Sequence, residues 1–442
     1  MKKIAFILML AFVTTGTINT AKAQTETQIG TDTLTEAIMI VEEVIADDNL
    51  VQDKTDKVMK GYVVGLTKMT YKQLIMILIA VLFVYLSIAK KYEPLLLLPL
   101  AFGILLANIP LAGLDAYYVF DDGRLGLMNF LYHGILYVIY PPLIFLCIGT
   151  MTDFGPLIAS PKNALIGLGG QLGIFVALGG ALFLGNLFIP YIQGFEGFSF
   201  NEAASIAIIG SSDGPTAIYT ASRLAPNLLP TIAIAAFSYM ALVPFIQPPI
   251  MRALTTPKER VIVMPPPKQV TQRQKIVFPI ALTLITLLLV PAAGALIGMM
   301  MLGNLIRESG VTGRYIETLQ NAFLNILTLL VAICIGASAT ADRFLTFQTL
   351  LIVFLGLVAF CFGTIGGVLI AKLLCKLTGG KINPLIGNSG VSAMPMAARI
   401  SQRVGREYNP DNHLLMHAMG PIVSSTISSA IIAGIFIALY GG

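Results

Sequence analysis

Charge is what this sequence has least of. Only 12% of its 442 residues are Asp, Glu, Lys or Arg, while 56% are hydrophobic, and the mean hydropathy is +0.82. A water-soluble chain carries about 25% charged residues. Half of that cannot coat a soluble fold of this size, so a soluble enzyme and a nucleic-acid module are both excluded. The scarcity is greatest between Ala164 and Met251, where only Glu196, Glu202, Asp213 and Arg223 are charged. Runs this apolar must meet lipid, and the chain reads as a multispanning membrane protein. Its net charge of +5 gives no reason to expect nucleic acid, because the excess sits in short loops where topology explains it. Cysteine is scarce as well. Cys147, Cys334, Cys361 and Cys375 lie in apolar runs without CxxC spacing and read as packing residues, not as disulfide or metal positions. Of three histidines, His413 and His417 stand four apart on one expected helical face with no acidic third ligand nearby. They read as polar helix contacts.

What is present begins with a targeting pattern. Lys2 and Lys3 precede an apolar run, Ile4 to Val13, that is too short to span a bilayer, and Ala21-Lys22-Ala23 offers small residues to a signal peptidase. Residues 1–23 therefore read as a signal peptide, with an uncleaved first helix as the alternative. Residues 24–70 are polar, with one amphipathic stretch from Leu34 to Ile45, and form an exported extension.

Apolar runs and loop charge then predict a topology. Spans at 73–89, 93–109, 130–151 and 163–191 alternate inward and outward, landing Lys90, Lys91 and Lys162 in the cytoplasm and Asp115, Asp121 and Asp122 outside. The span at 228–250 leads into the most basic loop, with Arg252, Lys258, Arg260, Lys268, Arg273 and Lys275, which must be cytoplasmic. A simple crossing at 203–221 would put that loop outside. That segment also carries Gly210, Gly214 and Pro215, which break a helix, and such backbone survives at membrane depth only when buried in protein or lining a cavity. It should be re-entrant or discontinuous.

The second half answers the first, with spans at 278–290, 294–306, 319–338 and 349–374, a broken segment at 383–399, and a last span at 413–439. Cys147-Ile148-Gly149 before Asp153 matches Cys334-Ile335-Gly336 before Asp342, and Ile209-Gly210-Ser211-Ser212 matches Ile386-Gly387-Asn388-Ser389. The expected fold is an all-α polytopic membrane protein of two inverted repeats, each of about five spanning helices and one broken segment. The repeats are residues 71–251 and 276–442, joined by the basic loop 252–275. Transporters built this way bind ions where the broken segments meet.

Asp213 is the one acid in the middle of a membrane-depth segment. Burying its charge costs about 2.5–3.5 kcal/mol or more, so it needs a cation, a proton or an Arg. It reads as a ligand for a small hard cation, with Ser211, Ser212 and Thr216 beside it, or as a structural partner of Arg399. In the second segment Asn383, Asn388, Ser389 and Ser392 offer neutral oxygens, and Gly387, Gly390 and Pro395 open the backbone. Arg399 is placed to take an anion, bidentately if that is a carboxylate, or to anchor topology. Tyr239 lies mid-span, where core packing is the commoner reading.

Six runs make the chain resemble a known family: Gly214–Tyr219, Ser238–Pro244, Ile246–Thr256, Asn383–Gly387, Pro395–Arg399 and Leu414–Pro421. They are similar to the beta subunit of the sodium-pumping biotin-dependent decarboxylases, over roughly residues 73–440. The resemblance implies a translocase of the bacterial inner membrane that decarboxylates carboxybiotin and exports sodium. It implies a carboxyltransferase alpha subunit, a biotin carrier, a small gamma or delta membrane anchor and an assembly that can hold further copies of the chain. By motif, the family's sodium-site aspartate falls on Asp213 and its functional tyrosine on Tyr239. Its second-region asparagine, glycine, serine and arginine fall on Asn383, Gly387, Ser392 and Arg399. Asp213, Asn383, Gly387 and Ser392 would then hold sodium, and Arg399 the carboxybiotin. Tyr239 or Ser392 would relay a proton. Ser211-Ser212 and Asn388-Ser389 depart from the smaller residues common in the family, and the exported extension is longer than usual. The rival reading is a sodium-coupled secondary transporter of an organic anion, without any biotin partner.

Overall fold

Each long apolar run folds into helix, since backbone at membrane depth must satisfy its own hydrogen bonds. The computed structural model describes Gly65, Lys68 and residues 69–441, less 193–194, 267–268 and 395. The expected signal peptide and nearly all of the exported extension lie outside these residues.

In chain order the main helices are α1 (Tyr71–Ala89), α2 (Pro94–Ala107), α3 (Leu127–Leu136), α4 (Tyr140–Met151), α5 (Ala164–Gly170), α6 (Leu172–Phe188), α7 (Phe200–Ala207) and α8 (Gly214–Leu224). They continue as α9 (Leu229–Leu254), α10 (Gln272–Leu289), α11 (Gly294–Glu308), α12 (Leu324–Ser338), α13 (Phe347–Leu377), α14 (Met396–Tyr408) and α15 (Leu415–Tyr440). Capping boxes start several of them, with Thr70 and Gln73 before α1, Ser199 and Glu202 before α7, and Thr271 and Gln274 before α10.

Six helical stretches are long and apolar enough to cross a membrane, or eight if two bent pairs each count as one crossing. Ten spans were expected. One pair, α3 and α4, bends by 65°, where Val138 takes a left-handed φ of 60° and Pro141 follows within the next turn. The other bend, 60°, falls between Tyr239 and Leu242 within α9. Pro244 follows two residues on, and its ring displaces the carbonyl four residues back, inside the bend. α2 and α11 have only 14 and 15 residues, about 21–23 Å at 1.5 Å per residue, which is short of a full crossing. The basic loop is also shorter than expected, because α9 continues through Leu254 and α10 takes in Arg273 and Lys275.

Burial grades from rim to centre. Only 17% of the most apolar window of α1 and 11% of that of α10 are buried, against 61% for α13 and 67% for α15. The first two present lipid-facing surfaces, and the last two form the centre around which the broken segments pack.

Two close helix crossings join the halves. Gly103 of α2 meets Gly336 of α12, and Gly149 of α4 meets Gly303 of α11, so near that a Cβ on any of the four would overlap backbone of the other helix. Ion pairs repeat the exchange. Lys275 at the start of α10 bonds Asp153 at 3.0 Å, and Lys72 at the start of α1 lies 3.7 Å from Asp342. Burial alone would raise the Asp153 carboxyl, but the Gly155 N–H and Lys275 more than offset it and hold it low. Gly303→Val should destabilise the chain by about 1–3 kcal/mol or more, read as a lower melting temperature in detergent. Gly298→Val on the same helix, where nothing lies within reach of a new Cβ, should be nearly silent. Equal melting of the two variants would count against the close crossing.

Candidate functional site

The first broken segment places its acid by a reversal of the backbone. α7 tightens into a turn at Ile208–Ser211, Ser212 takes φ 57°, and Asp213 follows in extended conformation as the N-cap of α8. Aspartate is a favoured N-cap, and Pro215 suits the first turn, since it needs no hydrogen-bonded N–H there. One carboxylate oxygen of Asp213 accepts from Thr216 N at 3.3 Å, and the other from Ser429 Oγ of α15 at 2.9 Å. Asp213 is only 5% exposed. Among the described residues it forms no ion pair, with Arg399 or with any other cation.

Two more oxygens beside it have no assignment. Ser212 Oγ and Thr216 Oγ1 are buried without a hydrogen-bond partner. Leaving such a group unsatisfied costs about 1–3 kcal/mol, and two free hydroxyls next to a carboxylate are oxygen donors of the kind a hard cation takes.

The second broken segment docks backbone to backbone on the first, with Ser392 N donating to Ser211 O at 2.9 Å. Ser392 Oγ lies 2.9 Å from Ser425 Oγ, which in turn accepts from Gln171 Nε2 at 3.0 Å. Asp213 and Ser392 thereby line one cavity of about 380 Å³, with Ser212, Thr328 and Thr426 as further polar walls. That volume falls in the usual range of small-molecule sites. Its other sides are mostly apolar, and among the described residues Glu93 and Asp213 are the only charged ones that line it.

The other expected site residues stand around this cavity and do not line it. Asn383 caps its own turn by accepting from Leu385 N at 2.9 Å, and its Nδ2 donates to Arg260 O at 3.1 Å and Ile262 O at 2.8 Å. It ties the second segment to the basic loop. Gly387 packs against the backbone of Gly367 and Val368 on α13, where no side chain fits. Tyr239 is buried between α9 and α13, and its hydroxyl donates to the Val353 carbonyl. Arg399 is exposed on α14, in an open basin of about 540 Å³ with Arg403, Arg406 and Glu407. α14 is bound to the end of α9 through Arg252–Glu407 and to the basic loop through Arg260, which bonds the Tyr408 hydroxyl at 2.7 Å and covers its ring. His413 precedes α15 and contacts Arg406, while His417 lies in the first turn of that helix, so the pair does not share a helical face.

A family model of the Na+-transporting oxaloacetate decarboxylase beta subunit matches residues 72–440. The chain belongs to that family. It is 52% identical to the methylmalonyl-CoA decarboxylase subunit beta of Veillonella parvula, over 85% of this chain and 95% of the relative. It is 50% identical to the glutaconyl-CoA decarboxylase subunit beta of Acidaminococcus fermentans, over 86% and 96%. With the oxaloacetate decarboxylase beta chain of Klebsiella pneumoniae it shares 46%, over 84% and 96%.

In this beta subunit several site residues carry no mark in the broken segments. Ser425, Thr426 and Ser429 come from α15, Gln171 from the joint between α5 and α6, and Glu93 from the end of α2. A run of hydroxyls in an otherwise apolar helix, Ser424 to Ser429, was the available signal for the first three. A buried amide pair braces the second segment. Asn388 Nδ2 donates to Gln247 Oε1 at 2.9 Å, and Gln247 Nε2 returns the bond to Asn388 O at 3.0 Å. Gln247→Leu should therefore lower stability by about 1–3 kcal/mol, because it takes away the partner of one Asn388 side-chain N–H and of the Asn388 carbonyl, while Nδ2 keeps its bond to Ala397 O. Gln247→Leu with Asn388→Leu should be less destabilised than the sum of the singles. Additive losses, measured by denaturation in detergent, would mean the amides are not paired.

Proposed function

We propose that the chain is the membrane subunit of a biotin-dependent decarboxylase of the bacterial inner membrane, releasing CO2 from carboxybiotin and exporting sodium. The observation that carries this reading is Asp213. It is a buried carboxylate without a counter-cation among the described residues, flanked by two unpartnered hydroxyls, in a cavity formed where two broken segments touch. Sodium from the cytoplasm would bind Asp213 with Ser212, Thr216 and Ser392, and displace a proton as it does so. Asn383 and Gly387 serve the same site from behind, by fixing the second segment to the basic loop and to α13.

Carboxybiotin is the second substrate, presented by a biotin carrier that a carboxyltransferase alpha subunit loads. Its N–C bond breaks, the bond electrons remain on the ureido nitrogen, CO2 leaves, and one proton reaches that nitrogen. Ser392 is placed to pass the proton, since its hydroxyl already shares a chain with Ser425 and Gln171. Tyr239 supports this from one layer out by holding α9 to α13. Arg399 takes the carboxylate at the cytoplasmic mouth. Export against 100 mV costs about 2.3 kcal/mol per charge, so one decarboxylation drives only a few ions. Relatives named for three different substrates are each 46–52% identical to this chain, which supports choice of the substrate by a partner subunit. A small gamma or delta anchor and further copies of the chain belong to the same proposal.

We place the inverted repeat in this proposal too. The reciprocal crossings and the exchanged Lys–Asp pairs support it, because each feature of one half recurs with its partner in the other. The test of function is reconstitution of the purified complex in liposomes with each candidate acyl substrate. Decarboxylation should require sodium and should accumulate ²²Na+ inside inverted vesicles. Sodium transport driven by an organic anion, with no avidin-reactive partner, would establish a secondary transporter instead.

A further inference from the structure

The connection between α1 and α2 is strained in a way its sequence does not require. Lys91 and Glu93 are both non-glycine residues with left-handed backbone, at φ 56° and 36°. Glu93 is also the N-cap of α2, yet its carboxylate makes no capping bond to the helix. An acid at an N-cap ordinarily turns back onto the free amides of the first turn. Here, among the described residues, it forms neither a hydrogen bond nor an ion pair, and instead lines the cavity that holds Asp213. Strain that persists in a conformation without local reward is characteristic of functional sites.

Its surroundings are fixed. The Tyr92 ring packs 5.1 Å from that of Phe245, and Arg403 reaches the carbonyl of the preceding residue, Pro244, at 3.4 Å. The connection and the basic face of α14 therefore meet at one point of α9. Arg399 stands one turn before Arg403 on that face, and its charge opposes the rise that burial gives the Glu93 carboxyl at the opening of the cavity.

That opening has a problem to solve if the function proposed above holds, and the inference rests on that reading. An anion and a cation must both enter from the same side. A mouth with Arg399, Arg403 and Arg406 set against Glu407 attracts the carboxylate and repels sodium, and within a Debye length of about 8 Å salt does little to screen that repulsion. We propose that Glu93 is the sodium-admitting residue of the cytoplasmic mouth, a carboxylate that cancels the field of Arg399 and passes the ion inward to Asp213. A carboxylate at the cavity beside these arginines lets each substrate approach. The two unpartnered hydroxyls beside Asp213 mark where the cation's path ends.

The test is the sodium dependence of decarboxylation by the complete complex. In Glu93→Gln, half-saturating sodium should rise about three- to tenfold, as expected for losing one charge near a solvated ion. Turnover at saturating sodium should change much less, and Glu93→Asp should recover most of the loss. Added choline chloride, which screens without binding, should lower half-saturating sodium in Glu93→Gln, where the arginines repel the ion unopposed, more than in the wild type. If the wild type needs sodium but Glu93→Gln has an unchanged sodium curve, the Glu93 assignment fails while the functional reading stands. If Glu93→Gln only lowers turnover at all sodium concentrations, the assignment fails equally. A wild type indifferent to sodium overturns both.

Discussion

Asp213→Asn should abolish sodium-stimulated decarboxylation while leaving membrane insertion and complex assembly intact. Asparagine matches aspartate in shape, and its amide oxygen can still cap α8 through Thr216 N, so the local fold has what it needs. What disappears is the charge. A sodium ion in the cavity would then have only neutral oxygens around it in an apolar setting, where an uncompensated charge costs at least about 2.5–3.5 kcal/mol. That alone corresponds to roughly a hundredfold or more in affinity, beyond what added sodium can restore. The measurement is turnover against sodium concentration for complexes matched in subunit content. Near-normal stimulation in the variant would remove Asp213 from the ion site.

The second large effect concerns Arg399. A positive charge that only anchors topology is replaceable by lysine, and Arg399→Lys would then be silent. A carboxylate clamp uses the planar fork that makes two parallel hydrogen bonds, which a lysine ammonium cannot reproduce. One charge-assisted hydrogen bond is worth about 1.5–3 kcal/mol, so turnover should fall roughly ten- to a hundredfold. Carboxylated biotin should accumulate on the carrier, with expression and assembly unchanged. Its exposed place on α14, in a basin shared with Arg403 and Arg406, suits a group that meets its ligand before the ligand enters. Wild-type turnover in Arg399→Lys would leave the anchor reading in place.

The sequence made the inner end of the candidate site legible because its signal is energetic. One acid in a long uncharged run demands a reason, and the helix breakers around it say where the backbone opens. Asp213 and Ser392 could be found that way. Asn383 and Gly387 look locally like their neighbours, and only tertiary packing decides that one amide faces the basic loop and one glycine faces α13. Ser429 was hidden for a different reason. It lies in an unbroken helix, and which side of α15 meets Asp213 depends on how that helix packs against α5 and α8. Glu93 reads as one more charge at the end of a span, and its turn toward the cavity rests on a backbone angle that no residue type implies. α2 and α11 were read as full spans, because hydropathy registers apolar character and not where a helix stops.

The reciprocal crossings have a consequence for how the chain is made. α2 and α4 leave the ribosome well before α11 and α12, the helices whose glycines they are shaped to receive. Until those arrive, the small-residue faces of the first half lie open in the bilayer, with lipid filling a groove cut for a backbone. Assembly must therefore wait on the last third of the chain, and the early helices need shelter in the meantime from an insertase or a membrane chaperone. Ribosome-bound chains stopped before α11 should be prime substrates for membrane proteases, however well their individual helices insert.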